Sequence, residues 1–280
     1  MCLPLHTKLF LVFGQPLSLV GAMTRATCRP GSTEPPGRAL TLEELSLRET
    51  LFLAALLRAQ DLRVQVAPTR QSTLTVLDVL RGQALIQVPW PADRWPIRPD
   101  AEVTPLEDIQ WAFAWASYER EHLLPALEDR LIELSAEQDL AAQRHAIWSE
   151  LALWEAEQFL EQQLRKHHFD PAWARDLSFI FRVALPGLPI ARWRYCCWAA
   201  VRQGASVALR QSAPDVSGVR EAIFAELQKR LHYVTHGANQ LGVFTPFQPL
   251  PSSALAQLFV THVIPMVWDY WTADRSVSLS

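Results

Sequence analysis

From Ile109 to Trp271, apolar side chains recur every three or four positions, and no alternation of comparable strength appears after Val88. Ile147, Trp148, Leu151, Trp154, Leu160 and Leu164 form one such stripe, and Trp111 and Trp115 start another. A helix with one apolar stripe must bury it against a neighbour, so the expected fold class is mainly α. Prolines and capping residues set the limits. The spacing predicts a helix over 109–124, which Pro125 either kinks or ends by starting the next, through Leu134, and a long one opened by Ser135, with Glu137 and Asp139 near its positive dipole end. Asp170-Pro171 opens another, Pro186-Gly187-Leu188-Pro189 breaks it, and further helices cover 190–209 and 216–236. Ser252 is expected to cap a last helix that ends near Trp271.

The N-terminal third reads differently. Leu9–Phe13 and Leu17–Ala22 are apolar but broken by Gly14, Gln15 and Pro16, too short a run to span a bilayer. Two readings stand for residues 1–22: a tail or mis-called start ahead of Met23, or a weak secretory-signal resemblance. Pro30-Gly31 and Pro35-Pro36-Gly37 make 24–39 a linker. Thr41 with Glu44 is a capping-box pair ahead of a helix through Leu45–Ala59. Ser72 or Thr73 can cap a second helix over 74–80, with Gly82 suited to the left-handed position past its end. Ala84–Val88 has strand character. A proline-rich connector, 89–105, is pinned by Trp90, Trp95 and Ile97. The expected organisation is a tail and linker over 1–39, a small unit with its connector over 40–99, and a helical domain over 100–280.

Two resemblances follow from these residues. Leu77-x-x-Leu80-x-Gly82-x-x-Leu85-Ile86-x-Val88 resembles the last helix and first wing strand of a winged-helix module. A base-reading version would place several Arg, Lys, Asn or Gln on the second helix. Here Asp78 sits in it, and Arg70 and Arg81 only flank it, so a protein-contact or structural role is expected. Ile147–Ala152 with Glu155 and Phe159-Leu160, then Ala191–Ala205, then Leu250–Ser253 with Leu258–Thr261, are similar to motifs of an uncharacterised bacterial protein family. That resemblance implies bacterial origin and supplies no activity, cofactor or catalytic residue.

The four cysteines, Cys2, Cys28, Cys196 and Cys197, form no CxxC pair and point to a reducing, cytoplasmic setting. His232 and His236 lie four apart on a predicted helix, a spacing metals use, but the run His-Tyr-Val-Thr-His lacks the glutamate of the zinc-protease motif. Arg165-Lys166-His167-His168 is a basic helix end that suits the dipole or an acidic or phosphate contact. Glu155, Glu157 and Glu161 read as a solvated acidic face, and Glu150, at the rim of the apolar stripe, as a carboxylate paired with an Arg. Arg192, Arg194, Arg202 and Arg210, interleaved with Trp193 and Trp198, form the candidate surface for nucleic-acid backbone or an acidic partner. The competing reading pairs these arginines with the acidic helices of 106–161. Trp268, Tyr270 and Trp271 are hard to bury together, which suggests a contact surface.

The net charge of -3 conceals an asymmetry. Residues 100–161 carry 3 Lys+Arg against 15 Asp+Glu, while 162–280 carry 12 against 7. Gly-x-Ser-x-Gly, Walker A, Gly-x-Gly-x-x-Gly and Ser-x-x-Lys are all missing, though a triad assembled in space needs no sequence motif. The leading expectation is a non-catalytic interaction or regulatory protein with a protein partner, acting near DNA through contacts without sequence preference. No cofactor and no membrane partner are expected. The alternative is a metal-dependent enzyme on His232 and His236.

Overall fold

The computed structural model describes residues 41–87, 111–113, 117–183, 188–210, 215–235, 242–265 and 267–273. By its contacts the chain divides into Met1–Arg38 and Ala39–Ser280, and every described residue belongs to the second unit. The tail and linker of 1–39, the connector of 89–105 with the boundary near 99, Cys2, Cys28 and His236 lie outside the described residues. Among the described residues the fold is mainly helical. No helix among them is long and apolar enough to cross a membrane.

Helix α1 (Leu47–Leu62) is the central element. Leu51, Phe52, Leu53, Ala54, Ala55 and Leu56 are all fully buried, so the helix is covered on nearly every side. It packs on α3 (Ser117–Ala136) and α9 (Ala254–Leu258). Its start corrects the expectation at Thr41. The Ser46 hydroxyl accepts the Glu49 N–H at 3.3 Å, and the Glu49 carboxylate accepts the Ser46 N–H at 2.8 Å. Two overlapping box signals compete; Thr41 with Glu44 closes only a 3-10 turn, Leu42–Glu44. Helix α2 (Arg70–Gly82) likewise begins earlier than expected, because Thr69 rather than Ser72 or Thr73 is the cap. Gly82 ends the helix, and the left-handed residue beyond it is Ala84, with φ 55°.

The expected helix over 109–124 is helical only from Ser117 among the described residues, because Ala112–Phe113 form a strand. Strand β1 (Ile86–Gln87) pairs antiparallel with β2 (Ala112–Phe113), Ile86 opposite Phe113. Trp111 and Phe113 alternate into the core, at 1% and 9% exposure. Of the two readings of Pro125, the start of a new helix does not hold: Pro125 lies inside α3. Ser135 also lies inside α3, its hydroxyl donating to the Ile132 carbonyl at 2.7 Å. Helix α4 (Ala141–Lys166) follows a 3-10 turn, Gln138–Leu140, with no side-chain cap.

Two short helices, α5 (Trp173–Leu177) and α6 (Phe179–Val183), replace the one expected after Pro171. Helices α7 (Ile190–Arg210) and α8 (Val216–Thr235) pack along each other more extensively than any other pair among the described residues. Gly204 permits their approach, since a Cβ there would collide with Ile223. Ser253, not Ser252, caps α9, which runs into a π-helical turn, Phe259–Val263, and stops at Ile264. Trp271 therefore lies beyond the helical segment.

Buried side chains form two clusters. The first joins α1, α2, α3, the front of α4, α9 and the Tyr270–Trp271 turn. It takes residues from both sides of position 99, from Leu45–Ile86 and from Trp111–Trp271. The second joins the back of α4 with α5, α6, α7 and α8. Helix α4, about 39 Å long at 1.5 Å per residue, belongs to both.

Candidate functional site

The structure separates the residues of the arginine helix. Trp193 is fully buried and packs edge-on against Phe181, centroids 4.7 Å apart. Arg194 points inward, its guanidinium carbon 4.3 Å from the Phe159 ring centre, 5.0 Å from Trp271 and 5.9 Å from Phe244. Arg192 is half-buried. Arg202 and Arg210 are exposed, and Arg202 lies over the half-buried Trp198 ring at 4.7 Å. The four arginines therefore make no single basic stripe. Among the described residues, Arg192, Arg202 and Arg210 form no ion pair with a carboxylate.

Glu155 corrects the solvated acidic face. It is 1% exposed, and Glu157 is 9% exposed. Burial pushes the Glu155 carboxyl up to about 7, and Arg194 only partly opposes this. Glu155 Oε1 and Arg194 Nε are both buried without a hydrogen-bond partner. The two charges attract across the junction of the two clusters without closing a hydrogen-bonded pair. Glu150 meets the expectation of an arginine partner: Arg48 Nη2 lies 2.9 Å from Oε1 and 2.8 Å from Oε2.

Tyr270 and Trp271 are buried, their rings edge-to-face at 5.0 Å, whereas Trp268 is 80% exposed. Of these three aromatics, only Trp268 is exposed. Cys196 and Cys197 are buried, and Cys197 Sγ donates to the Ala156 carbonyl at 3.8 Å. Burial pushes the Cys196 thiol up to about 12 and Cys197 well above the usual thiol range. Both stay protonated at neutral pH, unlike an activated nucleophile. His232 is exposed near the end of α8; His236, its expected partner, lies outside the described residues. Among the described residues, no three His, Cys, Asp or Glu side chains gather as a metal-binding group.

The accessible relief lies elsewhere, around α5. Three hollows lie side by side there and share lining residues. The first, about 570 Å³, is bounded by the Arg48–Glu150 pair. Thr75, Trp154, Glu157 and Ser178 join it to the second, about 540 Å³, which adds Arg175 and Phe179. Asp176 joins the second to a third, about 250 Å³, lined by Arg220, Glu221 and Phe224. Asp176 and Arg220 bridge α5 and α8 by an ion pair at 2.5 Å. Phe179 is 67% exposed and Phe224 is 39% exposed. Most residues along the first two hollows are polar, unlike the apolar lining of a small-molecule pocket.

The sequence singled out Glu150 but not this groove. Trp154 reads as an ordinary stripe residue, and Phe179 has no signal that would set it outside the core. Comparison of the chain with protein-family models, with curated proteins and with solved structures finds no match.

Proposed function

We propose that this chain is a non-catalytic interaction or regulatory protein, and that a protein partner lays a segment into the groove over α5. The observation that carries the reading is Phe179. A phenylalanine two-thirds exposed beside a hollow that contains Trp154 is the kind of anchor protein interfaces use. Arg175 beside it is exposed and makes no ion pair among the described residues. A partner segment with an apolar side chain next to a carboxylate would complement both. The strongly shifted groups, Glu155, Cys196 and Cys197, line none of the three hollows, which favours binding over catalysis.

The winged-helix resemblance enters this reading as a scaffold. Gln71, Ser72 and Thr75 of α2 line the groove, so that helix serves the partner surface rather than base reading. The test is co-purification from the native cells with wild type and with Phe179→Asp. The wild type is expected to hold a stoichiometric partner, and the variant to lose it at least tenfold with an unchanged melting temperature. A wild type that elutes as a partner-free monomer, or a variant that keeps the partner, overturns the reading.

A further inference from the structure

A second surface, independent of the groove, lies where the end of α4 meets the middle of α7. Helix α4 closes in a Schellman motif: the Phe169 N–H donates to the Leu164 carbonyl at 2.9 Å, and the His168 N–H to the Arg165 carbonyl at 3.0 Å. Glycine usually fills the left-handed position of this motif, but here His168 holds it, with φ 60°. The turn presents three rings in a row. His167 and Phe169 stack with an interplanar angle of 20° and centroids 6.3 Å apart; Phe169 and Trp173 stack at 19° and 5.8 Å. All three are half-buried, so each keeps solvent access.

Cations border the row. Lys166 and Arg202 are exposed. Burial first, and then the charges of Lys166, Arg202 and His168, hold the His167 imidazole below its usual range. That ring is therefore neutral at pH 7, an aromatic face within a positive field. The acidic side chains at this helix end are engaged. Glu161 accepts from Arg165 Nη2 at 2.9 Å, and Asp170 Oδ1 accepts the Ala172 N–H at 2.9 Å.

We infer that this surface binds single-stranded nucleic acid without sequence preference, bases stacking on the His167–Phe169–Trp173 row and phosphates meeting Lys166 and Arg202. An acidic protein would use the cations but not the parallel rings. A duplex keeps its bases stacked inside and offers the rings nothing. A single strand supplies both chemistries.

The test uses the full chain and fluorescently labelled oligo-dT, a duplex of equal length and a polyglutamate peptide, followed by anisotropy across salt. Oligo-dT is expected to bind most tightly, with a log–log salt slope of about -1.4 for two phosphate contacts on a single strand. Lys166→Glu with Arg202→Glu, both at exposed positions, is expected to weaken oligo-dT binding at least tenfold. Trp173→Ala is expected to weaken it without changing the salt slope. Equal or tighter binding of the duplex, or of polyglutamate, overturns the inference. So does oligo-dT binding that the double charge reversal leaves intact, or no oligo-dT binding at low salt.

Discussion

Helix α4 carries two glutamates five residues apart, and each faces an arginine that also lies on an aromatic ring. Arg48 lies 4.9 Å from the Phe52 ring centre and hydrogen-bonds Glu150. Arg194 lies 4.3 Å from Phe159, and its attraction to Glu155 closes no hydrogen bond. Exposure separates them: the Arg48 and Glu150 side chains are 38% and 27% exposed, while Glu155 is buried. The half-wet pair lines the first hollow. The dry pair sits where the two cores meet and fixes their junction. A helix buried on one side would carry only the first kind of pair; α4 carries both because it serves two cores.

The largest expected effect breaks the dry pair from its cationic side. Arg194→Ala leaves Glu155 buried without its counter-charge and empties the space among Phe159, Phe244 and Trp271. Urea unfolding at pH 8 is expected to show a loss of about 3–5 kcal/mol. At pH 5, where Glu155 is protonated, the loss should shrink.

Changing the other member has the opposite sign. The Glu155 carboxyl lies at about 7 in the folded chain, raised from an ordinary value of 4.5. The native state therefore holds the extra proton between those values, and stability falls as pH rises from about 4.5 through 7. Above pH 7 the buried charge costs on the order of 3 kcal/mol. Glu155→Gln removes that cost, so the variant should be more stable than wild type at pH 8 and indistinguishable from it near pH 4.5. A variant less stable at pH 8 would mean that Glu155 is held as a favourable carboxylate.

The wet pair should respond weakly. Arg48→Ala is expected to lose less than about 1 kcal/mol, because solvent screens a pair of this exposure. A loss matching that of Arg194→Ala would erase the distinction between the pairs. His168→Gly gives a small effect of the other sign, a gain of about 1 kcal/mol in urea midpoint analysis, by relieving its left-handed backbone.

Part of this was legible in the sequence. The span of α7 follows from Pro189 ahead of it and the absence of any proline through Arg210. The arginine partner of Glu150 follows from its place at the stripe's edge. Trp111 misleads, because a four-residue spacing to Trp115 suits a helix equally well. The strand that follows it, Ala112–Phe113, pairs with Ile86–Gln87, far earlier in the chain, a pairing that local periodicity does not encode. Glu155 misleads for a different reason. Its residue type suggests solvent, yet at 100° per residue it falls between Trp148 and Leu151 on the apolar face, and there it is buried. The groove was hidden because it assembles from α1, α2, α4, α5, α6 and α8, whose residues are brought together by tertiary packing that no local pattern encodes.

The central claim is that the α5 side is where the partner docks. A photo-crosslinking phenylalanine analogue at position 179, compared with the same residue at 209, tests it most directly in the native cells. Both positions are exposed, at 67% and 88%, but only 179 borders the groove. The account predicts one discrete protein adduct from 179 and none from 209. No adduct from 179, or the same adducts from both positions, would contradict it.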